Sequence, residues 1–129
     1  MKNIDLKKDT LLIMVTGSEG QIIHVSDEVV EHSGYAREEL IGESKSIFEH
    51  EDIPQEIFSD IERTTSQGEA WRGYLKYKTK DSSYYWVDAI VTKIAIADAK
   101  PSYLSIGSKP SYDEVESYIN KKHKQDTFK

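Results

Sequence analysis

The chain has 129 residues, 37% hydrophobic and 31% charged, which fits one domain with a short tail and excludes two catalytic domains. Its formal charge of −6 offers no general attraction to nucleic-acid phosphates or anionic lipid, and no apolar run approaches the ~20 residues of a membrane span. The absence of cysteine excludes disulfides, thiolate metal sites and a cysteine nucleophile, and the polar N-terminus lacks a signal-peptide core, so a cytoplasmic protein is expected.

In chain order, residues 1–10 read as an N-terminal cap segment. Leu11 to Val15 is a short apolar run ended by Gly17-Ser18-Glu19-Gly20, and Ile22, Ile23 and Val25 follow, a strand–turn–strand hairpin. Ser26 stands as an N-cap before Asp27 and Glu28, and Val29 and Val30 supply the stripe of a helix that Gly34 stops. Tyr35 to Gly42 and Ser46-Ile47-Phe48 read as single turns. Asp52-Ile53-Pro54 opens a longer helix with Ile57, Phe58 and Ile61 on one face, ended at Gly68.

The period then changes from helical to alternating. Trp71, Gly73, Leu75, Tyr77 and Thr79 alternate with Arg72, Tyr74, Lys76, Lys78 and Lys80, a strand with one basic face. Tyr84 to Ala97 and Tyr103 to Ile106 supply two more strands of a meander. From Ser111 the stripe Tyr112, Val115, Tyr118 and Ile119 indicates a helix that decays into Lys121-Lys122-His123-Lys124. The fold class expected is α+β: a five-stranded antiparallel sheet over 11–110, short helices on one face, and a linker helix and tail over 111–129. Such packing leaves a cavity between sheet and helices for one small ligand. Residues 27–62 carry twelve carboxylates against Arg37 and Lys45, read as solvated helix faces with a cation site as the alternative.

Several strings carry a family resemblance. They are Ser33-Gly34-Tyr35 with Glu38-Glu39-Leu40-Ile41-Gly42, the His50-Glu51-Asp52-Ile53-Pro54 segment, Gly68-Glu69-Ala70-Trp71-Arg72-Gly73, and Tyr84-Tyr85-Trp86-Val87-Asp88-Ala89. In this order they resemble PAS sensor domains, and within them the flavin-binding kind of bacterial aerotaxis receptors. The resemblance implies the PAS fold, a non-covalently held FAD whose redox state reports on respiration, a signalling partner or homodimer, and no catalysis. Trp71 matches the family's flavin-associated tryptophan, where a flat side chain can stack on an isoalloxazine ring; plain core packing is the alternative. His50 and Asp52 match a segment whose histidine and carboxylate can donate to adenine, ribose or phosphate; a helix cap is the alternative.

Departures from the family pattern are Ser26 and Tyr77 where asparagines stand, Glu49 where an arginine precedes the histidine, a reduced aromatic near Val29, and Ser82 at a hairpin glycine. Glu49 places an anion where a pyrophosphate favours a cation. The expected internal pocket is lined by Trp71, Tyr77, Trp86, Ile57 and Phe58, with Tyr77 pointing inward among less polar neighbours. Two other readings stay open. One is a cofactor-free interaction or dimerisation module using the sheet face and the terminal helix; the other is a haem sensor with His24, His32 or His50 as axial ligand.

Overall fold

The computed structural model describes residues 3–4, 6–95, 100–111 and 113–118. Strands β1 (Leu11–Thr16) and β2 (Ile22–Val25) form the first hairpin. Helices α1 (Asp27–Ser33) and α2 (Arg37–Leu40), a 3-10 turn (Lys45–Phe48) and α3 (Gln55–Ser66) follow. Strands β3 (Trp71–Lys78), β4 (Tyr84–Ile94) and β5 (Ser102–Ser108) complete a five-stranded antiparallel sheet, and residues 113–118 form a last helix, α4. The expected fold class is the one observed. The parts of the terminal stripe at Tyr112 and Ile119, the lysine-rich end, and the last two residues expected in the long strand, 96–97, lie outside the described residues.

The sheet order is β2-β1-β5-β4-β3. The final strand inserts between the first hairpin and the meander, pairing Met14 with Ser105 on one side and Val91 with Ser105 on the other. This register gives every strand one face toward the helices. Leu12, Leu75, Tyr85, Val87 and Ala89 are buried there, together with Leu40, Phe48 and Ile61 from the helical layer. Tyr85 is only 1% exposed and is the largest side chain sealed in this core.

Local chemistry sets the boundaries of the elements. Gly34 ends α1 in the left-handed conformation at φ 79°, and its N–H donates to Val30 O, so the chain turns sharply toward α2. Ser26 occupies the N-cap position of α1, but its hydroxyl makes no cap bond. It accepts instead from the Ile13 N–H at 3.1 Å, tying the start of α1 to β1. In α3 the Thr65 hydroxyl donates to Ile61 O at 2.7 Å, so a polar residue is buried without an orphaned donor. Ile57 and Phe58 are only half-buried although they share the apolar stripe. For Phe58 the reason is the space that α3 leaves above the sheet.

Candidate functional site

That space is a cavity of about 290 Å3 bounded by α3, the 3-10 turn, the β1–β2 turn and the inner face of β1, β3, β4 and β5. Its aromatic walls are Phe48, Phe58, Tyr77 and Tyr103; Met14, Leu75 and Val91 add apolar surface, and Thr16, Thr65 and Ser105 add hydroxyls. A second void of about 10 Å3 lies deeper, sharing Met14, Phe48, Tyr77 and Ser105 and ending on Tyr85. Tyr77 therefore stands between the main cavity and the core. Its ring lies 6.2 Å from Phe48 and 5.8 Å, edge-on, from Tyr85. Burial pushes its phenol above the ordinary value; the Ser105 hydroxyl works in the opposite direction, and the Glu49 carboxylate adds to the rise.

The opening of the cavity is charged. Exposed Glu19, Glu62 and Lys45 and half-buried Glu49 line it, three carboxylates to one ammonium. Among the described residues none of these four has an ion pair. Glu49 is fixed by an antiparallel bridge to Tyr77 along the free edge of β3, which puts its carboxylate beside the cavity.

Of the eight residues expected at the site, Tyr77 and Phe58 line this cavity and Tyr77 points inward as its strand period predicts. The other six do not. Trp71 packs flat over Gly73 and donates its indole N–H to Asp60 at 3.2 Å, which fastens α3 to the end of β3. Ile57 packs against the core, and Ser26 is engaged with Ile13. His50 and Asp52 sit at the outer edge of β3. There the Asp52 N–H donates to His50 Nδ1 at 3.0 Å, Lys76 Nζ donates to Asp52 at 2.6 Å, and His50 stacks edge-on against Tyr84.

Trp86 is corrected outright. Its neighbours Tyr85 and Val87 are buried inward, so alternation places Trp86 on the opposite face of the sheet, where Lys76 lies 5.8 Å from its ring and Tyr118 of α4 packs 6.1 Å away. None of His24, His32 and His50 lines the cavity, which removes the axial ligands that the haem reading rested on; His123 lies outside the described residues. Sequence reading missed Thr16, Tyr103, Ser105, Lys45, Glu19 and Glu62. The first three were available from strand alternation once β1 and β5 are known to be neighbours. The charged three come from a turn and helix faces that bear no periodic mark.

A cavity enclosed between a five-stranded antiparallel sheet and short helices, with a terminal helix on the outer face, defines the class of small sensor domains. A family model described as PAS fold matches residues 22–106, and the chain belongs to the PAS family. The aerotaxis receptor of Escherichia coli (strain K12) is 32% identical over 114 residues, 88% of this chain and 22% of that protein. The nitrogen fixation regulatory protein of Klebsiella oxytoca is 24% identical over 69% of this chain and 18% of that protein. The chain thus spans about a fifth of these curated relatives. A light-oxygen-voltage domain studied with a flavin analogue superimposes with a TM-score of 0.73 at 16% identity, covering 90% of this chain and 89% of that one. The PAS domain of a protein from Colwellia psychrerythraea does so with 0.69 at 22% identity, covering 78% and 86%.

Proposed function

We propose that this PAS domain is a non-enzymatic cytoplasmic sensor that holds one small molecule in the 290 Å3 cavity and passes its state through the sheet to α4 and a signalling partner. The observation that carries this reading is the cavity itself, whose aromatic walls and few hydroxyls are typical of a ligand site. Strand β3 supplies the route. Tyr77 faces the cavity while Tyr74, three residues earlier, faces outward and donates its hydroxyl to Glu114 of α4 at 2.9 Å. Tyr118 of α4 rests on Tyr74 and Trp86 with ring centroids 5.8 and 6.1 Å away. A ligand that moves Tyr77 therefore moves the surface on which α4 sits. Residues 111–129 are the output segment in this reading, and the sheet face beside α4 is the docking or homodimer surface.

A flavin is the ligand class favoured by the aerotaxis receptor relationship and by the light-oxygen-voltage neighbour, with redox or oxygen as the signal. Phe48, Phe58 and Tyr77 offer aromatic surface to a planar ring. FAD as a whole would extend out of this cavity. At about 290 Å3 it lies at the small end of the ~300–1,000 Å3 range of ligand sites, so a pyrophosphate would lie near the carboxylates of Glu19, Glu49 and Glu62. His50 and Asp52, implied as its adenine or phosphate partners, are engaged at the sheet edge with Tyr84 and Lys76.

The test is the absorption spectrum of protein purified without added cofactor, before and after mild reduction, with analysis of what acid releases. A released ligand at about one per chain that is lost in Ser105→Phe, which fills the cavity, supports the sensor. A protein that releases nothing from either form favours the cofactor-free interaction module.

A further inference from the structure

The charge at the cavity mouth restricts what can enter it. We propose that the occupant is a compact planar heteroaromatic molecule without phosphate, neutral or cationic, admitted past Glu19, Glu49 and Glu62. This inference rests on the sensor reading above and narrows it to a ligand class.

Three observations converge. The walls at the level of Phe48, Phe58 and Tyr77 are aromatic and suit a flat ring, which stacks or meets ring edges there and also tolerates positive charge. The polar groups within are hydroxyls: Thr16, Tyr77 and Ser105 can exchange hydrogen bonds with ring carbonyls and nitrogens, while Thr65, whose proton goes to Ile61 O, can only accept. The mouth carries three carboxylates that no described cation neutralises, against Lys45 alone. Glu49 is the best placed of them, since its bridge to Tyr77 fixes its backbone and its charge is felt by that buried phenol. A phosphate leaving the cavity through this opening passes three carboxylates and one ammonium, so the net charge it meets is of its own sign.

The three natural flavins test this, because they share one ring and differ in phosphate. Riboflavin has none, FMN has one and FAD a pyrophosphate. The 129-residue chain, stripped of any ligand, is titrated with each and followed by flavin fluorescence at ~20 mM and ~500 mM salt. The proposal expects riboflavin to bind at least about tenfold tighter than FAD at low salt, with FMN between, and the gap to shrink several-fold at high salt. In E49Q/E62Q, two substitutions at the cavity rim, the ratio of the two affinities falls toward one.

FAD binding as tightly as riboflavin, or a gap indifferent to salt and to E49Q/E62Q, overturns the proposal. So does failure of all three flavins to bind, while the sensor reading is then judged separately by the ligand the native protein releases. Binding that Ser105→Phe does not weaken lies outside the cavity and counts against both. Binding that Ser105→Phe abolishes, but with FAD preferred, removes the charge inference alone.

Discussion

Gly73 and Trp71 show how one residue constrains another two positions away on the same strand face. A Cβ at Gly73 would come within 2.6 Å of the Trp71 ring, so the indole can lie flat only over glycine. Gly73→Ala should cost about 1–3 kcal/mol in urea unfolding and shift tryptophan fluorescence, as the ring is forced off Asp60 and α3 loosens. The burial that makes Tyr77 useful in the cavity wall has its own pH signature. Desolvation raises its folded pKa above the ordinary 10.0, so the neutral phenol adds stability that is complete below pH 10 and lost as pH rises through the folded value. Tyr85 moves in the same direction for the same reason. Alkaline titration should show most tyrosines ionising reversibly while these two resist until the protein unfolds, and Tyr77→Phe should weaken that coupling. Tyr77's inward direction was legible because its strand alternates clearly in polarity. Trp86 was not legible, since Tyr84-Tyr85-Trp86 are aromatic without interruption and alternation fixes parity but not which parity faces in.

Among the elements, the β3–β4 hairpin carries a cost written in its turn. Ser82 adopts φ 67°, a left-handed conformation that favours glycine. Ser82→Gly should raise stability by about 0.5 kcal/mol, the relief of strain outweighing the added freedom of the unfolded chain. The same turn is acid-sensitive. The Thr79 hydroxyl donates to Asp81 at 2.6 Å and the Ser83 N–H at 3.1 Å, and these bonds hold the Asp81 carboxyl below its ordinary 3.8. Its contribution is present above the unfolded pKa and is lost as pH falls through the folded one, so Asp81→Asn should flatten the acid limb of a stability profile. Helix α3 was legible from its stripe, but its position was not. Periodicity names the apolar face without saying that Phe58 would stand over a cavity while Ile57 packs against the core. In α2, Leu40 is fully buried, and Leu40→Ala should cost about 2–5 kcal/mol by denaturant unfolding.

At the scale of the molecule, each hairpin follows from local turn chemistry, whereas the insertion of β5 between β1 and β4 joins segments some ninety residues apart and has no local signal. The family strings supplied what local reading lacked, which is why the fold was legible while most of the site was not. Those strings mark Trp71, His50 and Asp52, which brace α3 and the sheet edge, and the cavity walls come mainly from positions outside them. Among the described residues no helix is long and apolar enough to cross a membrane. In the proposed sensor, ligand state passes from the cavity wall at Tyr77, through β3, to Tyr118 of α4.

Amide hydrogen exchange on the protein as purified and after its ligand is stripped tests this path. Stripping should lower protection in the Lys45–Phe48 turn, in α3 and β3, and also across the sheet in 113–118. Exchange that is unchanged in all four, or changed around the cavity with 113–118 unaffected, would contradict it.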